Sequence, residues 1–366
     1  MTNPKPNMRE YILKTPESIK NCLEASLDSN TEEFIDILCN NKGQRIVITG
    51  CGTSYNLAIL FERYLGADGD ISAVAVPSTD LLNYRQSLLK NSIIVAISHS
   101  GATKATVDVI KKAKENNITV VSLTSNEKSA MASLSDIHIK LAGGYEASMP
   151  KTLTFTCSAI QILNIVSNIN KRTGKKEIHI PPAGWLYEAM KNAIEKNEDA
   201  LVSMADGLKN HNRFIFIGAG VNWLLAEEIA LKMRETNYSS SLGFEMEEFT
   251  HGNTTLLEKG TAVIIISHKG PSEERALDIF ESARYLEAST VIVGDKTVDN
   301  FRGSDYAIRL DTSGDEFVDS LIYALPLQLF AYHISAAMGK DPDTLRRDDE
   351  RYDHVAVTWI FPPGTH

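Results

Sequence analysis

The sequence has no excess of positive charge: Lys plus Arg total 37 against 47 Asp plus Glu, a net charge of −10. That balance argues against a nucleic-acid surface. Cysteine is scarce, and Cys22, Cys39, Cys51 and Cys157 form neither a CxxC pair nor a Cys/His zinc spacing. A disulfide framework is therefore excluded as an organising principle, and a reduced, cytoplasmic chain is the expectation. No stretch approaches eighteen consecutive apolar residues, and the opening MTNPKPNMREYILKTPESIKN lacks an apolar signal core. Neither membrane spanning nor secretion is expected. No low-complexity run interrupts the chain. What is present is 366 residues with 43% hydrophobic and 23% charged side chains. This is the composition of a globular protein, at a length that points to two domains.

The chain repeats itself. RIVITGCG (45–52) is answered by RFIFIGAG (213–220) at an offset of 168, and Gly101 of IIVAISHSG by Gly270 of VIIISHKG at 169. ITVVSL (118–123) and STVIVG (289–294) follow at 171, then DIHIKL (136–141) and DYAIRL (305–310) at 169. Four matches in order imply one domain copied and joined. In the first copy, strands are expected at about 45–50, 71–76, 93–98, 118–123 and 137–141, separated by helix-length segments. Ala102 to Asn116, with Ala102, Ala105, Val109 and Ala113 at helical spacing, is one such segment. Nearly continuous apolar strands alternating with helices predict an α/β fold of two tandem doubly wound parallel sheets. Each is a three-layer sandwich of flavodoxin-like type, with its ligand site at the carboxyl ends of the strands. The Pro/Gly punctuation of IHIPPAGW places the boundary near Pro182. The expected division is 1–182 with N-terminal helices over 8–40, then 183–340 opening on a helix over 184–209, then a tail, 341–366.

Two loops carry candidate binding chemistry. Ser98-His99-Ser100-Gly101-Ala102-Thr103 follows a strand and opens a helix. Free N–H groups and the helix dipole there meet the hydroxyls of Ser98, Ser100 and Thr103, which suits a phosphate monoester. Helix capping alone would need only one of those hydroxyls. Gly50-Cys51-Gly52-Thr53-Ser54 lies in the same kind of strand-to-helix turn, and adds Gly52, Thr53 and Ser54. It lacks both the GxGxxG pattern and a P-loop lysine, so a nucleotide reading is weak. The second copy has fewer hydroxyls in both loops, so one phosphate site per chain is expected.

A helix from about Asn222 to Asn237 has the core stripe Ala226, Ile229, Ala230, Met233 with Glu228, Lys232 and Glu235 opposite. Read blandly, these three are a surface salt-bridge row contributing about 0.3–0.5 kcal/mol per pair. Leu224, Leu225 and Leu231 flank the row, however, making the helix apolar nearly all round and hence a buried one. A partly desolvated carboxylate there suits proton transfer. His251 follows in the acidic segment FEMEEFTHG, read as a loop whose charges orient the imidazole. No HxH or HExxH pattern accompanies it, so no metal is expected.

GCGTS (50–54), SHSGAT (98–103), ALKMRE (230–235) and the ExxHG of Glu248 to Gly252 together resemble the sugar isomerase (SIS) superfamily. The likeness is to the isomerase part of glucosamine-6-phosphate synthase and to amino-sugar-phosphate deaminases and fructosamine-phosphate deglycases, and it covers essentially the whole chain. The resemblance implies phosphate contacts at Thr53, Ser98, Ser100 and Thr103, with His99 where a glutamine is usual, and Glu146 beside the sugar. It implies Glu235 as the base that moves a proton between C1 and C2, Lys232 one turn before it, and His251 assisting ring opening from a neighbouring subunit. A cofactor-free, metal-free homodimer with shared active sites, binding a small-molecule sugar phosphate, is the corresponding expectation. Two departures point away from the synthase: no glutaminase segment is seen, and residues 341–366 contain no lysine for a Schiff base. Arg346, Arg347 and Arg351 cannot replace it as amine nucleophiles. Aldose–ketose isomerisation of a phosphorylated amino sugar or sugar–amine adduct is the expected reaction, with loss of ammonia or amine giving deamination or deglycation and its absence plain isomerisation. The rival from another class is a sugar-phosphate sensor, which usually carries a DNA-binding segment that is not visible here.

Overall fold

A computed structural model describes residues 7–41, 43–66, 71–296 and 300–362. Residues 1–6 and 363–366, at the ends of the expected first domain and tail, lie outside them. Two compact units are present. One is Glu17–Glu146 with Leu153–Ala183 and the residues from Glu350 onward; the other is the chain up to Pro16, Ala147–Thr152 and Gly184–Asp349.

The first unit is built on strands β1 (Arg45–Gly50), β2 (Ala73–Pro77), β3 (Ser92–Ile97), β4 (Thr119–Thr124) and β5 (Ile137–Lys140). They form one five-stranded sheet of order β2-β1-β3-β4-β5, with every pairing parallel. All six residues of β3 are buried, as expected of a strand covered on both faces. On one face Val47, Ile94 and Ala96 meet Val107, Ile110 and Ala113 of the helix Lys104–Glu115.

The second unit repeats the arrangement with β6 (Arg213–Gly218), β7 (Ser240–Glu245), β8 (Thr261–Ser267), β9 (Ser289–Asp295) and β10 (Tyr306–Leu310). Its order, β7-β6-β8-β9-β10, is that of the first sheet, again all parallel. The packing is duplicated too: Ile215, Ile217, Val263 and Ile265 meet Ala276, Ile279, Phe280 and Ala283 of the helix Glu273–Tyr285. In each sheet the chain leaves the first strand for one neighbour and returns on the other side. The β1/β3 and β6/β8 crevices are therefore the switch points where ligands of this architecture bind.

Two expectations need correction. The single helix over 184–209 is two helices, Ala183–Glu195 and Glu198–Leu208. At the break the Asn197 side chain donates to the Ala193 carbonyl at 3.0 Å, taking an acceptor away from the helix ladder. The acidic segment before His251 is no loop: Glu245 ends β7, and Met246–Thr250 is a short helix. The Glu245 carboxylate caps that helix, accepting from the Glu247 and Glu248 amides at 2.7 and 3.1 Å. The one described helix long and apolar enough to cross a membrane, Glu316–Ala337, has 83% of its most apolar window buried inside the protein. It is a core helix of its unit.

Candidate active site

The β1/β3 switch point brings the two hydroxyl-rich loops together. Thr49 of β1 pairs with Ala96 of β3, and Gly50 lies so close to the end of β3 that a Cβ there would stand 3.0 Å from the Ile97 carbonyl oxygen and 2.7 Å from that of Ser54. Gly50 thus allows the two turns to share one crevice. Ser98 Oγ lies 3.0 Å from Thr103 Oγ1 and 3.5 Å from Ser100 Oγ, and accepts from the Gly101 amide at 3.2 Å. Thr103 occupies the N-cap of the helix Lys104–Glu115, yet makes no side-chain cap bond. Its hydroxyl turns to Ser98 instead. The hydroxyls therefore cluster at the helix N-terminus beyond what capping requires. Gly101 has φ +67, and a Cβ would collide with Ser129 Oγ and Thr124 Oγ1, so only glycine fits this turn. Gly52 has φ +56 with open space around it, Thr53 begins the helix Thr53–Gly66, and Ser54 is half-buried in its first turn.

His99 is held from two sides: Nδ1 lies 3.0 Å from Ser125 Oγ, and the ring stacks on Tyr145 at 6.1 Å between centroids. Tyr145 is 79% exposed and was not singled out from the sequence. The signal was its place in GGYE, after two glycines with φ of +88 and +68 that turn the chain sharply. Glu146 beside it is fully buried, its Oε2 accepting from the amide and hydroxyl of Thr154 at 3.0 and 2.6 Å. Those bonds assign this carboxylate to the first turn of the helix Leu153–Thr173.

In the second unit the helix Val221–Thr236 is buried nearly all round, as its sequence implies. Glu228 and Lys232 are both fully buried, which removes the surface-row account. Lys232 Nζ lies 3.2 Å from Glu228 Oε1 and 2.6 Å from Glu235 Oε2, while the Glu235 side chain keeps 23% exposure. Burial alone would drive the Lys232 pKa down, but the two carboxylates outweigh it and hold the ammonium above its ordinary range. The result is an ammonium anchored by a buried carboxylate and orienting a second carboxylate that reaches the surface. Glu228 is the member of this triad that the motif alone did not mark as functional.

His251 ends the short helix, 3.5 Å from Glu247 Oε1 and with 74% of its side chain exposed. Gly252 after it has φ +98. In the tail, the Arg346 guanidinium stacks over the Tyr238 ring at 5.2 Å.

The second sheet's own switch point holds a different set. His268 Nε2 lies 3.1 Å from Asp319 Oδ2, and the fully buried Asp319 also accepts from Ser313 and from the Gly314 amide. The hydrogen bond to Asp319 raises the His268 pKa, against the opposing effect of burial. A histidine pKa raised on folding adds stability that is fully present below its unfolded value near 6.5 and is lost as pH rises through the raised value. The expected result for His268→Gln is a loss of about 1.5–3 kcal/mol at pH 6 that shrinks by pH 9. Urea unfolding of both proteins at the two pH values measures it; a loss that grows with pH contradicts the assignment.

Comparison with known proteins identifies the family. The SIS domain family model matches residues 38–166 and again 207–338. The chain belongs to the SIS domain family and carries two copies of the domain. It is 28% identical over 340 residues to a glutamine–fructose-6-phosphate aminotransferase (isomerizing) of Pyrococcus horikoshii, covering 93% of this chain and 56% of that protein. The chain spans little more than half the length of the curated relatives it matches. Among solved structures it superposes on the C-terminal domain of glucosamine-fructose-6-phosphate aminotransferase from Francisella tularensis, with TM-score 0.79, 22% identity and coverage of 92% and 97% of the two chains. It also superposes on tagatose-6-phosphate ketose/aldose isomerase from Escherichia coli (TM-score 0.76, 21% identity, 92% and 95% covered). A third match is glucosamine-6-phosphate deaminase from Thermotoga maritima (0.68, 20%, 91% and 97%). At these identities the superpositions establish the fold.

Proposed function

We propose that the chain is a phosphosugar isomerase-type enzyme acting on a phosphorylated amino sugar or sugar–amine adduct, coupling aldose–ketose isomerisation to deamination or deglycation. The observation that carries this reading is the Glu228–Lys232–Glu235 triad: a helix keeps a fully buried ammonium 2.6 Å from a surface-reaching carboxylate. A sensor has no use for so costly an arrangement, whereas proton transfer needs a carboxylate held in one orientation.

In this reading the substrate phosphate docks on Ser98, Ser100, Thr103 and the adjoining Gly52–Ser54 turn. Its binding energy positions the reacting carbons. His251 of the partner subunit of a homodimer helps open the ring, a role to which its exposure on the single chain is suited. Glu235 then moves a proton between C1 and C2 through an enediol or enolamine, from C2 to C1 on a 2-amino aldose and from C1 to C2 on a 1-amino ketose, and Lys232 fixes the carboxylate and lies beside the developing negative charge. Water then adds to the imine carbon so formed, and collapse of the adduct to the carbonyl expels ammonia or an amine, completing deamination or deglycation. Glucosamine-6-phosphate synthase relatives, and the isomerase and deaminase of the same fold, support a C1–C2 proton transfer on a 6-phosphosugar.

Incubation with glucosamine 6-phosphate and with fructosamine 6-phosphates, following the ketose or aldose phosphate formed and the released amine, tests the proposal. The expected result is turnover of at least one of them. Ser100→Ala/Thr103→Val should raise KM by about 10²–10⁴-fold, at about 1.5–3 kcal/mol for each of two lost charge-assisted hydrogen bonds, with a smaller effect on kcat. Tight binding of the panel without chemistry defeats the enzymatic reading.

A further inference from the structure

The duplication lets the two switch points be compared residue by residue. At offsets of 168 and 169, Gly52 corresponds to Gly220, Ser54 to Asn222, Ser98 to Ser267 and His99 to His268. In the first sheet these positions form the hydroxyl cradle. In the second, the space is taken by a side chain of the protein itself. Burial raises the Glu316 pKa, while the amide of Val221, the first residue of the helix Val221–Thr236, favours its charged form. Asn222 Nδ2 lies 3.5 Å from Glu316 Oε1, and that oxygen is 2.7 Å from where a Cβ on Gly220 would stand. Gly220, with φ +55, thus leaves room for the carboxylate. The cation of His268 acts on Glu316 electrostatically as well. Meanwhile Ser267, counterpart of Ser98, is 1% exposed, and among the described residues its Oγ has no hydrogen-bond partner, nor has the buried Asn222 Oδ1. A duplicated anion crevice has kept its helix N-terminus and its serine, and has acquired a built-in carboxylate.

We propose that Glu316 is an internal ligand of the second sheet's anion site: its carboxylate stands where the first crevice takes a phosphate, so each chain binds one phosphosugar, and without it this crevice takes a phosphate-class anion. The proposal rests on the reading of the first crevice as the phosphate site, and it gives the second a distinct purpose. A carboxylate supplied from the helix Glu316–Ala337 neutralises the N-terminus of the helix that carries Lys232 and Glu235, without depending on substrate.

Inorganic phosphate titrated against the full chain, followed by phosphorus NMR, is the test. Wild type should bind one phosphate per chain, lost in Ser100→Ala/Thr103→Val; failure of that arm strikes the first crevice alone. Glu316→Ala should bind two. The second should persist when Ser100 and Thr103 are replaced, and disappear in Glu316→Ala/Ser267→Ala. If Glu316→Ala is unfolded in phosphate-free buffer, added phosphate should restore its thermal transition. A folded Glu316→Ala that binds no more phosphate than wild type overturns the proposal. So does a wild type that already binds two, or an unfolded variant that phosphate does not rescue.

Discussion

Glu235→Gln is expected to lower kcat by about 10²–10⁴-fold, the usual contribution of a positioned general base, while phosphosugar affinity changes little. The amide keeps the shape of the carboxylate and an oxygen acceptor for Lys232 Nζ, which now lies 2.6 Å away. What it loses is the ability to take a proton. Single-turnover measurements with the best substrate of the panel, together with a direct binding constant, separate the two quantities. Glu235→Gln turning over at the wild-type rate would remove this residue from the chemistry.

Lys232→Met should be the most destabilising single change in the helix Val221–Thr236. It leaves the Glu228 carboxylate, fully buried, facing a thioether where its cation was. Breaking one side of a buried ion pair costs about 3–5 kcal/mol, because the remaining charge stays uncompensated. Glu228→Gln/Lys232→Met removes both charges, and should recover most of that loss while remaining catalytically dead. Urea unfolding of the single and double variants measures the coupling. If Lys232→Met is as stable as wild type, the ammonium is not held between the two carboxylates.

How much of this was legible beforehand depends on the range of the interaction. The duplication and the parallel strands follow from local patterning, because strands buried on both faces must be apolar throughout, as β3 and β8 are. The hydroxyls at Ser98, Ser100 and Thr103 were visible for the same reason: one strand-to-helix turn presents them together. The burial of Lys232 could be read from the leucines flanking it. Partners supplied from distant segments were not visible. Glu316 comes from a different helix, 96 residues beyond Gly220, and nothing in GAGV announces it. The stacking of Tyr145 on His99 joins two loops through tertiary structure alone. The break at Asn197 turned on one side-chain-to-carbonyl bond that helical periodicity does not register.

The central proposal is that Glu235 moves hydrogen between the first two carbons of a phosphosugar. Hexosamine 6-phosphates deuterated at C2 report on it directly by proton and deuterium NMR. The account predicts that turnover by the wild-type chain removes the label from C2, to C1 or to water, and that Glu235→Gln leaves it in place. Product formed by the wild-type chain with the deuterium still on C2, or equal loss of label by Glu235→Gln, would contradict it.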